Sequence, residues 1–408
     1  MAGLGGGWLG GGKLAGASLF PGVGADFSKV PGVVVSHSSA STGVYLSSPS
    51  LVILPDGRYC SSCDESGPGS TERTSGVTRV FISGDYGRTW ERLPNIKPAF
   101  WSTLFVHRAA LYLIGSTNAR DSRLFIRKSS DWGQTWSTPT DPENGLLRPD
   151  ALVRTNAGNV VVCHGRLWFG SVFDPQGPPG PGSSFRFFVM SAPLHADLLK
   201  SSNWTSSHSI VYNPTSGEGG LVEGTITTGP SGSPVTLYRV DDRGPQEKAL
   251  VAKLSRDGKS LGFDPRKDLI NFPGGCKKFI VRYDRTSKLY WSLSNWVPKR
   301  HAGFNAERTR NTLAMITSQD LHHWTIRTVV LHHPDVNFHA FQYVDFQFDG
   351  NDLIALCRTA YDDGLGGAHS QHDSNFITFH RFQNFRDLTP KDAPDGLGEE
   401  ILQWNRGA

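Results

Sequence analysis

The sequence predicts an all-β fold: a single β-propeller of four-stranded blades, six by count, with seven as the alternative. Three observations carry this expectation. The chain has 408 residues with 46 glycines and 25 prolines, a turn density that favours many short strands over long helices. The stretch FISGDYGRTW (residues 81–90) returns as IRKSSDWGQTW, ending at Trp136, and the two aspartates, Asp85 and Asp131, are 46 residues apart, a suitable length for one blade. A strand–turn–strand pattern occurs six times along the chain.

In order, residues 1–30 read as an N-terminal extension and residues 31–408 as the propeller. The first blade is SPSLVILPDGRYCSSCDE followed by GVTRVFISGDYGRTW, and the second is WSTLFVHRAALYLIGSTN followed by SRLFIRKSSDWGQTW. Four further hairpins begin at Pro149, Leu221, Cys276 and Phe341. In the Pro149 hairpin, PDALVRTNAGNVVVCHGR, the Asn-Ala-Gly-Asn run reads as the turn, so VVVCHGR reads as the second strand. The last blade has a third strand, NFITFHRF, with little chain after it, and GVVVSHS (residues 32–38) is expected to supply its fourth strand and close the ring. Degenerate copies of the motif stand at Ser255-Arg-Asp257-Gly258 and at Ser318 to Trp324.

The motif reads as scaffold. Its Asp accepts from turn N–H groups, its Ser and Thr support the same turn, its Gly permits a positive φ, and its Trp buries aromatic area between blades. The motif resembles the Asp-box, or bacterial neuraminidase repeat, of the sialidase-like propeller superfamily. That superfamily holds sialidases, other glycosidases, lyases and non-catalytic binders, so the function has to come from the site.

Composition narrows the function. A net charge of +4 without Lys/Arg blocks interleaved with aromatics makes nucleic acid an unexpected partner. No apolar run is long enough to span a membrane. The five cysteines are odd in number and scattered, and Cys60-x-x-Cys63 has no second ligand pair, so neither a disulfide framework nor a zinc site is expected. No cofactor is required by this reading, and no metal ligands are assigned; a structural calcium stays open. The start, MAGLGGGWLGGGKLAG, shows no signal peptide. Asn203-Trp-Thr205 is a glycosylation acceptor pattern.

Strand direction sorts the polar residues. Starts of first strands, ends of second strands and starts of third strands share one face, the face that carries the site in enzymes resembling this one. That rule discounts His107, at a first hairpin turn. It collects Arg166, Arg239, Arg310 and Arg358 from different blades, suited to bidentate capture of a carboxylate. It also collects His164, His339, Tyr361, Asn118, Trp101, Glu223 and His372. Cys163-His164-Gly165-Arg166 is the sharpest local cluster, pairing an imidazole with a guanidinium.

Sialidases carry an Arg-Ile-Pro before the first Asp-box; here GVYLSSPSLVILPDG has Ser48-Pro49-Ser50 near that place, a departure that argues against sialidase activity. The runs SPSLVILPDGRY, RNTLAMITSQDLHHW and DSNFITFHRFQNFRDL are similar instead to the L-rhamnose-α-1,4-D-glucuronate lyases, polysaccharide lyases acting on gum arabic and arabinogalactan side chains. The resemblance implies a secreted, monomeric enzyme whose partner is carbohydrate. β-Elimination needs the uronate carboxylate neutralised, the C5 proton removed and the leaving oxygen protonated. The expected roles are Arg166 with Arg310 or Arg358 on the carboxylate, and His164 as base and acid, with His339 or Tyr361 as the alternative. Trp101 and Trp168 are expected to stack on the deoxy-sugar, with Arg239, Asn118 and Glu223 as further binding residues. Two alternatives stay open: an exo-glycoside hydrolase using two of Asp64, Glu65, Asp150 and Glu223, and a non-catalytic glycan-binding propeller.

Overall fold

The structure, a computed structural model, describes residues 24–120, 122–148, 152–174, 185–212, 220–241 and 247–407; the first 23 residues and Asp150 lie outside these. Six antiparallel sheets follow one another along the chain. Their innermost strands are Tyr45–Ile53, Phe100–His107, the split pair Arg154–Thr155 and Val160–Cys163, Gly220–Thr228, Ile280–Asp284 and Ala340–Asp349. Blade 2 has three strands, and its outer edge is met by an isolated bridge between Phe125 and Leu146.

The N-terminal strand Val33–His37 pairs with Phe376–Phe382 and completes blade 6, which closes the ring as the sequence led one to expect. The count is six, because blade 6 packs directly on blade 1. Asp345 Oδ2 accepts from the Leu51 amide at 2.8 Å, and Gln347 Nε2 donates to the Leu51 carbonyl at 2.7 Å.

The core is not central. Among the described residues its six large clusters are apolar wedges, each between two neighbouring blades. Leu237 and Val251 of blade 4 pack with Val281 and Ile316 of blade 5, whereas Tyr238 and Leu250, one residue along, pack with Trp168 and Phe187 of blade 3. Both faces of a strand are therefore buried, which is why these runs are almost continuously apolar.

The repeated motif clasps the turn from the third to the outer strand. Asp85 accepts from the Thr89 amide (2.9 Å) and hydroxyl (2.7 Å), the Gly87 amide donates to Ser83 Oγ (2.9 Å), and Trp90 Nε1 donates to the Gly87 carbonyl (3.2 Å). Asp131 repeats the pattern with Thr135 at 2.9 and 2.6 Å. Gly87 is required twice: its φ is +86°, and a Cβ there would meet the Phe379 ring of blade 6 at 2.2 Å. In the degenerate copy His323 takes the Thr position, its Nδ1 lying 2.7 Å from Asp320 Oδ2.

Blade 3 differs from the sequence reading. Its first hairpin turn is His164-Gly165, with φ of +50° and +69°, flanked by the pair Cys163 and Arg166; VVVC belongs to the first strand, not the second. The Asn-Ala-Gly-Asn run is instead the irregularity that splits the inner strand. Its side chains are spent on other blades. Asn156 Nδ2 donates to the Val222 carbonyl (2.9 Å), and Asn159 bonds Ile226 through both its carbonyl (2.7 Å) and amide (3.0 Å). Outside the ring, the C-terminal helix Leu397–Gly407 buries Leu397 and Ile401 in the wedge formed by blades 4 and 5. Among the described residues no helix is long and apolar enough to cross a membrane.

Candidate active site at the propeller mouth

Several inner strands break register near their start, at the mouth. The breaks fall between Ser47 and Ser50, Phe100 and Thr103, Leu221 and Gly224, and Gln342 and Asp345. In three of them the bulged residue has a positive φ although it is not glycine: Ser48 (+50°), Trp101 (+50°) and Tyr343 (+53°). Such a conformation is costly for a bulky side chain and persists where the surroundings impose it. A bulge re-aims a side chain, and at Tyr343 that side chain joins a cluster of arginines.

Arg310 and Arg358 lie within 5.6 and 5.0 Å of the Tyr343 ring centroid. Both side chains belong to buried residues, 3% and 4% exposed. Arg310 donates to the Glu307 carbonyl (2.9 Å) and to Gln342 Oε1 (2.5 Å), and Arg358 donates to the His372 carbonyl. Arg358 Nε has no hydrogen-bond partner. Among the described residues neither guanidinium has a carboxylate at ion-pair distance. Burial pulls Arg358 down to about 10, so it stays charged near neutrality. Two buried, unmatched positive charges side by side are expensive, and an anionic ligand relieves that cost.

Arg239 is different. It donates to Glu223 at 2.9 Å and to Glu307 at 3.0 Å, and its Nε reaches the Cys276 carbonyl at 2.8 Å. Burial pushes the Glu223 carboxyl up, but Arg239, Lys278 and Arg310 outweigh it and hold it below the usual carboxylate range. Arg239 and Glu223 thus neutralise each other in the wall of the site. Lys278, buried against Glu223, is drawn down to about 8 by desolvation.

His372 and Asp373 complete the cluster. His372 Nδ1 is 2.8 Å from Asp373 Oδ1, and its ring lies 6.4 Å from that of Tyr343. The Arg358 charge, with burial second, pushes the imidazole down to about 4, while the bond to His372 helps to hold Asp373 at about 2. Near neutrality the pair is a carboxylate and a neutral imidazole. Donation of Nδ1–H to Asp373 leaves the lone pair on Nε2, the arrangement a general base needs. Gln342 ties the two halves together, donating to the Gln371 carbonyl (2.6 Å) and to Ser374 Oγ (3.1 Å). Beside the dyad opens a cleft of about 600 Å³, lined by Tyr45, residues 66–68 and 70–74, His372 and Asp373.

The other residues singled out from sequence fall in three places. His164 and Arg166 are at the hairpin turn on the opposite face, beyond reach of the mouth; Arg166 donates to Ser191 Oγ (2.9 Å) and Thr205 Oγ1 (3.1 Å) and lies over Trp168. Trp168 is fully buried, so it has no free face for a sugar. Both placements follow from the shifted hairpin of blade 3. Trp101 is at the mouth but on blade 2, packed on Phe100 (4.8 Å). Asn118 caps a loop, accepting from the Arg120 amide at 2.8 Å. His339 and Tyr361 lie together at the rim of blade 6, ring centroids 4.8 Å apart. Tyr343 carried no signal in sequence, because an aromatic residue in an apolar strand reads as core.

Comparison with known proteins gives the fold. No protein-family model and no curated protein matches the chain. Among solved structures it is similar to the Penicillium chrysogenum α-L-arabinanase complexed with arabinobiose, at 15% identity over 88% of this chain and 98% of that one, TM-score 0.54. It is also similar to the Hadza microbial sialidase Hz136, at 14% identity over 88% and 69% of the two chains, TM-score 0.60. A third is the leech intramolecular trans-sialidase complexed with 2,7-anhydro-Neu5Ac, at 12% identity over 89% and 72%, TM-score 0.57. At such identities the likeness is one of architecture: the chain is a β-propeller of the kind these sialidases and the arabinanase share.

Proposed function

We propose that the protein is a carbohydrate-active enzyme that cleaves a glycan next to a uronate by β-elimination, releasing the L-rhamnose cap from L-rhamnose-α-1,4-D-glucuronate ends of arabinogalactan. The observation that carries this reading is the pair of buried guanidiniums, Arg310 and Arg358, unmatched by carboxylates and set against Tyr343 and the Asp373–His372 dyad. The glycan-processing neighbours of the same architecture support the carbohydrate class, and the lyase-like sequence runs support the linkage.

The roles follow from chemistry. Arg310 and Arg358 hold the uronate carboxylate and stabilise the charge that develops when the C5 proton leaves. His372 Nε2 takes that proton. The Tyr343 hydroxyl gives one to the oxygen departing from C4. Asp373 holds the imidazole in the tautomer required. The cleft beside the dyad accommodates the next sugar. Hydrolysis would ask for two carboxylates flanking one bond. Glu223 is bound to Arg239, and Asp64 is wholly inaccessible, its hydroxyl donor Thr78 at 2.5 Å, with burial raising its carboxyl to about 7.

Incubation with gum arabic tests the reading. Free rhamnose together with an unsaturated-uronate chromophore is the expected result. Rhamnose without the chromophore would make the enzyme a hydrolase, and binding without release would make it a lectin-like propeller.

A further inference from the structure

The mouth holds a second group of chemically active side chains that this reaction does not use. His333, Asp335 and His339 stand within seven residues, in the loop between the outer strand of blade 5, Thr325–His332, and the inner strand of blade 6. Each offers one ligand atom, and the three atoms lie within 4.8 Å of one another. His339 is only 6% exposed. Its Nδ1 is 2.7 Å from Asp335 Oδ2, but its buried Nε2 has no hydrogen-bond partner and lies 3.6 Å from Asp362 Oδ2. The His333 ring stacks on it, centroids 3.5 Å apart.

Packing alone explains this group poorly. A buried imidazole nitrogen without a partner is costly. The loop is already shaped around the acid: Asp335 accepts from the Asn337 amide at 2.9 Å and the Phe338 amide at 3.2 Å. Two imidazoles and two carboxylates from two chain segments form a mixed nitrogen and oxygen donor set. Calcium and magnesium prefer all-oxygen sites; this set suits zinc or a neighbouring divalent transition metal.

We propose that this loop is a divalent transition-metal site, with His333, Asp335 and His339 as ligands and the Asp362 carboxylate as the fourth. Binding requires the half-exposed His333 ring to turn out of the stack so that both imidazoles address one ion. The site would be structural. Its loop backs the dyad, since the Gln371 amide donates to the Asn337 carbonyl at 2.7 Å and Gln371 precedes His372. An ion here pins that support without touching the substrate.

The test is titration of the chelator-treated full chain with zinc chloride, followed by calorimetry and thermal unfolding. One equivalent should bind saturably and raise Tm, and calcium chloride should do neither. Asp335→Asn and His339→Ala should weaken zinc binding roughly 100-fold or more. His333→Ala, at a partly exposed ring, should keep the wild-type circular dichroism spectrum and weaken binding at least roughly tenfold. His323→Ala, at a side chain 83% exposed and away from the loop, should leave it unchanged. Absence of a saturable single site would overturn the proposal, as would equal binding by wild type and His333→Ala, or loss of binding in His323→Ala.

Discussion

Two regions of this propeller pair an imidazole with a guanidinium, and only one of them has the makings of a site. At the blade 3 hairpin, Arg166 spends its donors on Ser191 and Thr205 and rests on Trp168. The cavity near that turn, about 530 Å³, is lined by Val160, Val161 and Val162, and its Arg282 is already paired with Asp345 at 2.9 Å. At the mouth, Arg310 and Arg358 are buried with no carboxylate at ion-pair distance among the described residues, and His372 is held neutral beside them. Residue type is the same in both places. Desolvation without compensation is what separates a site from a satisfied turn.

The first experiment breaks the pair apart. Arg358→Ala should lower kcat/KM on rhamnose-capped substrate by about 10²- to 10³-fold, while Arg166→Ala should change it by less than about twofold. Steady-state kinetics on both variants decide; a larger loss in Arg166→Ala would return the site to blade 3.

Next come the dyad and its titration. His372→Ala should cost about 10²- to 10⁴-fold in kcat, the range for a general base. In wild type the acidic limb of kcat/KM should fall near pH 4, since the base works only unprotonated. Arg358 is the main cause of that low value, so in Arg358→Gln the His372 resonance followed by NMR should titrate higher, towards the ordinary 6.5. Asp373 works in the other direction, so Asp373→Asn should move the limb lower still. A limb that stays put in both variants would mean that another group is the base.

A third experiment separates scaffold from chemistry within blade 3. Asn159 is 4% exposed and bonds Ile226 and Thr225 of blade 4. Asn159→Ala orphans three buried groups and should lower unfolding free energy by about 3 kcal/mol or more, at roughly 1–3 kcal/mol per unsatisfied group. Urea unfolding reads that loss, and kcat on the folded fraction should be unchanged.

Asn159 also shows why the sequence misled at this blade. A run of Asn, Ala, Gly and Asn between apolar segments is the ordinary signature of a turn. Here its polar groups serve inter-blade hydrogen bonds, which no local pattern records. The fold was legible, because apolar hairpins are local and the clasp around Asp85 and Asp131 repeats, while the long-range Val33–His37 closure followed from the last blade lacking a fourth strand. The arginines of blades 4 to 6 were legible by strand direction. Tyr343 was not, since its place beside Arg310 and Arg358 depends on a bulge in an apolar strand. His107 and His164 end the same kind of hairpin on the same face, so the rule that sets one aside sets the other aside once the register is known.

The smallest expected effect bears on backbone strain. His164 and Tyr343 both hold a positive φ, +50° and +53°, and both are therefore strained. At His164 nothing beyond the turn requires an imidazole: the residue is exposed and is followed by Gly165 in the same left-handed region. His164→Gly removes the steric cost of a Cβ there but gives the unfolded chain more freedom, two terms that nearly cancel. Stability should shift by no more than about 1 kcal/mol, and kcat/KM should stay at the wild-type value. At Tyr343 the same strain is tied to a hydroxyl that, in the proposed reaction, gives its proton to the leaving oxygen. Tyr343→Phe keeps the backbone and the ring yet should lose about 10²-fold in kcat. If instead Tyr343→Phe is active and His164→Gly is not, the strain of functional value lies on the other face.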